Sequence, residues 1–231
     1  MIAFAAGTET GKDRSVNEDR IWISAAENAC AVFDGQGAAG MVAGIAMHAF
    51  QRELETKTNV ADPDLLLRAL RHVNRQISKV LREDQRLRGS GTTVDLLAFE
   101  GNRMVALHVG DGRVYRLRSG ALDQLSSDHT LVAEMVLKGE LSADQARTHP
   151  RSKVINRVIM GTEVIPEILH SGLEAGDRFI ACTDGVWRGV DEAALRALLL
   201  AMPSADDAVE AILRRAETSH DNASIIVATV G

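Results

Sequence analysis

At 231 residues, with 45% hydrophobic and 25% charged side chains, the chain has the make-up of a soluble globular domain able to bury a full core. A formal net charge of −6 argues against a dedicated nucleic-acid binder, whose grip on phosphates needs surplus Lys and Arg. No apolar stretch approaches the length that spans a bilayer, so no membrane role is expected. Only 3% of residues are aromatic, which leaves the core to aliphatic side chains. Cys30 and Cys182 each sit inside an apolar run and read as reduced core thiols of a cytoplasmic protein. The opening Met1-Ile2-Ala3-Phe4-Ala5-Ala6 lacks the basic leader of a signal peptide.

Short β-like runs come first, at 2–6, 21–24 and 29–33, the last two joined by a polar turn at Glu27-Asn28. After Asp34-Gly35-Gln36-Gly37 the pattern predicts a Gly/Ala-rich helix from about Ala38 to Glu55, suited to close packing on a sheet. Asp62 as N-cap and Pro63 at the first helical position open a second helix. Its apolar stripe is Leu66, Leu70, Val73, Ile77 and Leu81. Its opposite face carries Arg68, Arg71, Arg75, Lys79, Arg82 and Arg86, read as a solvated face rather than a docking surface. Strands at 93–99, 103–109, 114–117 and 122–125, linked by short turns, predict an antiparallel meander. A mixed stretch follows, with helices near 131–137 and after the capping box Ser142-x-x-Gln145. Strands at 167–172 and 178–183 are expected to pair across Glu174-Ala175-Gly176-Asp177, and helices at 192–201 and 205–218 precede a strand at 225–230. With no linker or repeat, residues 1–231 read as one α+β domain.

Carboxylates recur beside turns: Glu18-Asp19, Asp34-Gly35, Asp111-Gly112, Asp184-Gly185 and Asp221-Asn222. A single Asp-Gly is a common turn dipeptide. Here buried-looking strands precede three of them, and a strand that ends on an aspartate fixes that carboxylate rigidly. A following glycine lets the backbone carbonyl approach a cation. Oxygen-only ligands suit Mg²⁺ or Mn²⁺, and no His/Cys cluster with zinc spacing is present in the sequence.

Several motifs, in order along nearly the whole chain, resemble those of the metal-dependent PPM, or type 2C, serine/threonine phosphatases. They are Arg14-Ser15-Val16-Asn17-Glu18-Asp19, Val32-Phe33-Asp34-Gly35, Gly91-Thr92-Thr93 and Val109-Gly110-Asp111-Gly112-Arg113-Val114-Tyr115. Asp128-His129-Thr130, His149-Pro150 and residues 156–161 are similar to that family's flap, and Thr183-Asp184-Gly185-Val186 and Asp221-Asn222-Ala223-Ser224 to its last metal motifs. The resemblance implies an αββα sandwich of two antiparallel sheets flanked by helix pairs. It also implies hydrolysis of phosphoserine and phosphothreonine on proteins by a water activated between two Mn²⁺ or Mg²⁺ ions. Asp34 is implied to bridge both ions, with the Gly35 carbonyl, Asp184 and Asp221 on the first and Glu18 and Asp19 on the second. Asp111, with Asp184, is implied to hold a weaker third ion, and Arg14 to bind the substrate phosphate. The implied partners are a phosphorylated protein and a cognate bacterial kinase, with the phosphatase itself a monomer.

Two departures stand out. Gln36 occupies the place where many eukaryotic relatives carry a histidine proposed as general acid, and an amide does no acid–base work near neutral pH. Gly112 replaces the usual serine and Ala38-Ala39 a typical glycine, changes expected to matter little. Gln36 is also the one feature that favours a non-catalytic phosphoprotein-binding regulator; a small-metabolite phosphohydrolase is the other alternative. Trp22 and Trp187 are expected in the core or the site wall. His129 and His149 are expected to hydrogen-bond loop backbone rather than to titrate in catalysis.

Overall fold

The computed structural model describes residues 1–37 and 40–231. In chain order its strands are β1 (Ile2–Glu9), β2 (Arg20–Ser24), β3 (Ala29–Phe33), β4 (Gly35–Gln36), β5 (Gly91–Thr92), β6 (Val94–Glu100), β7 (Arg103–Val109), β8 (Arg113–Arg118), β9 (Ala121–Gln124), β10 (Glu167–Gly172), β11 (Arg178–Cys182) and β12 (Ala223–Val230). The helices are α1 (Met41–Leu54), α2 (Pro63–Glu83), α3 (Leu131–Leu137), α4 (Ala143–Thr148), α5 (Asp184–Gly189), α6 (Glu192–Ala201) and α7 (Ala205–Ala216). The strands assemble into two five-stranded antiparallel sheets among the described residues, ordered β1-β12-β11-β8-β9 and β10-β7-β6-β3-β2, with β4 and β5 forming a separate two-stranded clip.

Side-chain alternation along the strands builds the layers. On β3, Ala29, Ala31 and Phe33 pack with Ala43, Ala46 and Phe50 of α1 and Leu66, Leu70, Val73 and Ile77 of α2. Cys30 and Val32 point the other way, into a second apolar layer between the sheets. On β12 the same split places Ile225 and Val227 against α5, α6 and α7, and Ile226 and Ala228 between the sheets. Strands covered on both faces therefore read as unbroken apolar runs. Between the sheets Phe99 meets Phe4 and Phe179 edge-on, at 5.9 and 5.7 Å between ring centroids. Four layers result, helices–sheet–sheet–helices, as the resemblance implies.

The connections differ from expectation in two places. The four strands read as one meander are two hairpins in different sheets: β6 pairs with β7, β8 with β9, and the chain changes sheet at Gly110-Asp111-Gly112. Gly110 enables this crossing with φ +127° and with Thr93 pressed where a Cβ would stand, 2.5 Å away. Likewise β10 pairs with β7 and β11 with β12 and β8, so the turn at 174–177 links two sheets and not one pair. Short links do favour hairpins, but here each steps between the sheets, the Gly110-Asp111-Gly112 link at the edge where the acidic turns lie and the 174–177 turn at the opposite end of β11, beside Val230.

Helix boundaries follow their capping chemistry. Asp62 accepts from the Asp64 amide, Thr130 from Ala133, and Ser142 with Gln145 closes both bonds of the capping box. Ala38, where the first helix was expected to begin, and Ala39 lie outside the described residues, and the helix itself starts at Met41. On the basic face of α2, Arg68 stands 3.9 Å from Asp62, Lys79 3.9 Å from Glu83, and Arg82 donates to Ser78 at 2.7 Å. These local pairings fit a solvated face.

Candidate metal centre

The acidic turns converge at one edge of the sandwich, and their neighbours explain how. Asp34 leaves β3 with its backbone clamped by the threonines of the Gly-Thr-Thr motif. Its amide donates to Thr93 Oγ1 at 3.0 Å, and its carbonyl accepts from Thr93 N at 3.0 Å and Thr92 Oγ1 at 2.9 Å. Asp19 is buried just before β2, where its Oδ2 accepts from Thr183 Oγ1 at 2.9 Å and Ser224 Oγ at 2.7 Å. Two other motifs thus hold this carboxylate from the opposite sheet. Asn222 secures the loop before β2: its Oδ1 accepts from the Glu18 amide at 2.9 Å, and its Nδ2 donates to the carbonyls of Thr10 and Val16 at 2.6 and 3.1 Å. Asp184 is the first residue of α5, a helix absent from the sequence expectation, and there its charge complements the helix dipole.

Asp19, Asp111 and Asp184 share one pattern. Each has one oxygen bonded by the protein, while the other, Oδ1, is buried without a hydrogen-bond partner among the described residues. A buried carboxylate oxygen without a donor is strongly unfavourable unless a cation meets it. Burial raises the Asp34 carboxyl well above its usual range, and the charges of Asp19, Asp184, Asp111 and Asp221 raise it further. Burial likewise pushes Asp19 up to about 7, against the hydrogen bonds from Ser224 and Thr183. Asp111 rises to about 7 through burial and then the charge of Asp184, with Arg188 opposing. Such a cluster of hard oxygen donors fits divalent cations such as Mg²⁺ or Mn²⁺.

Arg14 reaches this edge from an exposed loop. Its Nη2 lies 2.7 and 2.9 Å from the two oxygens of Asp221, and its Nη1 lies 3.8 Å from Glu18. The three Asp-Gly glycines are also needed for space against neighbouring chain. A Cβ on Gly35 would stand 2.7 Å from the Glu18 carbonyl, on Gly185 2.0 Å from the Asn222 carbonyl, and on Gly112 2.0 Å from Asp95 Oδ2. The expectation that Gly112 is an indifferent replacement for serine does not hold.

A different trio comes closest together: ligand atoms of His108, His129 and Glu167 lie mutually within 4.8 Å, tighter than any three of the aspartates among the described residues. This trio is a hydrogen-bonded support rather than a second metal site. His108 spends its nitrogens on Asp95 at 2.6 Å and the Ser127 carbonyl at 3.0 Å, and Glu167 accepts from the Ser127 amide and hydroxyl. Burial, His108 and Arg157 push His129 down to about 3, so it is neutral and its Nδ1 accepts from the Gly110 amide at 3.2 Å. His129 thus bonds loop backbone beside Asp111, as does His149, whose Nδ1 accepts from Arg151 N at 3.1 Å.

A protein phosphatase 2C family model matches residues 6–225. The chain belongs to the protein phosphatase 2C family. Over 238 aligned residues it is 34% identical to the serine/threonine protein phosphatase PstP of Mycobacterium tuberculosis, across 100% of this chain and 45% of that protein. It therefore spans about half the length of that relative. The catalytic domain of PstP solved in complex with two manganese ions is 28% identical, with a TM-score of 0.90 over 100% of this chain and 99% of that one. PppA of Pseudomonas aeruginosa, described as a key regulatory component of T6SS, is 28% identical with a TM-score of 0.83, over 100% of this chain and 98% of its own. The two antiparallel sheets between helices share the fold of the PstP catalytic domain.

Three residues of the metal edge escaped the sequence reading in whole or part. Trp187 forms the expected site wall, but its indole also donates to the Asp111 carbonyl at 2.8 Å. Arg113 and Arg188 flank that indole, and neither was assigned a role. The i,i+4 spacing of Asp184 and Arg188 was the available signal, hidden because the short helix that gives it meaning was not anticipated. No helix among the described residues is long and apolar enough to cross a membrane.

Proposed function

We propose that this chain is a metal-dependent phosphatase that hydrolyses phosphoserine and phosphothreonine on proteins, using two Mn²⁺ or Mg²⁺ ions. The observation that carries the reading is the trio Asp19, Asp111 and Asp184, each fixed through one oxygen and presenting a second buried oxygen without a donor among the described residues. Asp34, the Gly35 carbonyl, Asp184 and Asp221 would hold one ion, and Asp34, Glu18 and Asp19 the other. When bound, the ion pair supplies a water of lowered pKa and Lewis-acid stabilisation of the phosphoryl charge. Thr92 and Thr93 fix the backbone from which Asp34 projects, and Thr183 and Ser224 orient the Asp19 carboxylate. Arg14, tied to Asp221 at the cleft mouth, offers a guanidinium fork that matches two phosphoryl oxygens. Gln36, in β4, can position a leaving group by hydrogen bonding but supplies no proton.

A phosphoprotein substrate, supported by the names of the relatives, completes the proposal, together with a cognate kinase, a cytoplasmic setting and a monomeric state. The test is hydrolysis of p-nitrophenyl phosphate with Mn²⁺, with and without EDTA, on wild type and Asp184→Asn. Wild-type activity should vanish in EDTA, and the variant should lose on the order of 100-fold or more, the scale of removing one element of an electrostatically preorganised site. Turnover that persists in EDTA ends the metal reading. A phosphothreonine peptide assayed beside sugar phosphates decides the substrate class, and equal or better turnover of the sugars contradicts protein dephosphorylation.

A further inference from the structure

Arg188 stands between the two aspartates to which the family resemblance assigns a third ion. Its Nε bonds Asp184 Oδ2 at 2.8 Å and its Nη2 lies 3.4 Å from Asp111 Oδ2. The guanidinium is packed 4.3 Å from the centroid of the Trp187 ring, and Arg113 stacks on the same ring at 3.8 Å. Neither partner is loose. Trp187 is anchored by its bond to the Asp111 carbonyl, and Arg113 by a fork to Asp128 at 2.9 and 2.8 Å. The Arg188 side chain is only 22% exposed, so its charge is spent on this acid pair and this ring rather than on solvent.

Asp184 has one oxygen to spare, Oδ1, and the two-ion reading gives it to the first ion; a third dication shared with Asp111 would need Asp184 Oδ2, which Arg188 already bonds, and would meet a positive charge at short range. The donor set therefore does not fit a third ion while Arg188 is in place. We propose that Arg188 is a resident counter-cation that replaces a third divalent ion at the Asp111–Asp184 pair, leaving this chain with two metal sites. Arg188 is a positioning residue in this scheme: it holds Asp184 through Oδ2 and leaves Oδ1, without a hydrogen-bond partner among the described residues, for the first ion. The Arg113–Trp187–Arg188 stack is the mount that keeps it there.

The inference rests on the two-ion reading above, and counting ions separates the two. Mn²⁺ is titrated into wild type, Arg188→Ala and Arg188→Lys, with free Mn²⁺ followed by electron paramagnetic resonance and folding checked by near-UV circular dichroism. Wild type should bind two equivalents. Arg188→Ala should bind a third, at a site tighter by roughly 100-fold than any third binding in wild type, the scale of two charge-assisted hydrogen bonds. Asp111→Asn in the Arg188→Ala background should return the count to two. Arg188→Lys retains the charge and should stay at two, which keeps the test decisive if the alanine variant does not fold, since three equivalents there contradict the proposal. Three equivalents in wild type, or two in Arg188→Ala, overturn it while leaving the two-ion phosphatase intact. No binding by wild type at all would instead overturn the phosphatase reading.

Discussion

In EDTA the protein should lose stability as the pH rises from about 4 to about 7, by on the order of 4 kcal/mol for each of Asp19 and Asp111, and Asp34→Asn should remove the further loss that Asp34 itself contributes. Asp19 and Asp111 keep their protons in the fold up to about 7, burial being the main cause in both. The unfolded chain releases the same protons near pH 4. Between these values the native state holds more protons, so stability falls as pH rises; below about 4 the penalty is absent and above about 7 it is complete. Asp34 is itself held well above its usual range, by burial first and then by the charges of Asp19, Asp184, Asp111 and Asp221, so a neutral isostere removes its own share of the penalty. The same substitution should cancel the stabilisation that Mn²⁺ gives wild type, about 2.7 kcal/mol at a hundred times the dissociation constant. Urea melts of both proteins at pH 4.5 and 7.5, with EDTA or Mn²⁺, read all four quantities. A variant less stable than wild type in EDTA at pH 7.5 would contradict the picture of a site strained by its own charges.

That strain was only partly legible in the sequence. The acids were identifiable because each closes an apolar run or sits beside a turn, a local pattern that alternation and turn chemistry expose. What fixes them was not, because the clamps come from far along the chain: Thr183 and Ser224 hold Asp19 from 164 and 205 residues away. The hairpin at 21–33 and the capped start of α2 were readable for the same local reason. The sheet assignment of β8 and β10 was not, since a tight turn looks alike whether it reverses within one sheet or steps to the other. The glycines show the limit most sharply. The Asp-Gly pattern suggested backbone access to a cation, whereas the structure adds a steric need at Gly35, Gly112 and Gly185, set by atoms of Glu18, Asp95 and Asn222.

Gly112 carries the largest structural prediction. Asp95 and His108 face each other across β6 and β7, both wholly buried, with Asp95 Oδ1 bonded to His108 Nδ1 at 2.6 Å. Asp95 Oδ2 has no hydrogen-bond partner among the described residues and lies where the Gly112 Cβ would be, at 2.0 Å. The Cys182 carbonyl closes the other side at 3.0 Å, so a larger residue at 112 has nowhere to move. Gly112→Ser, the substitution that restores the family's usual residue, should destabilise by about 3 kcal/mol, the upper end of overpacking in a dense core. Because Asp111 is adjacent, activity should fall as well. Asp95→Ala alone should cost about 1–3 kcal/mol by leaving His108 unpaired. Together, however, the two changes should cost at least about 1 kcal/mol less than their sum, because removing the carboxylate makes the room that serine needs. Chemical denaturation of the four proteins closes this cycle. Strict additivity would mean that Gly112 and Asp95 do not share the space the structure gives them, and that glycine is present at the metal edge for some other reason.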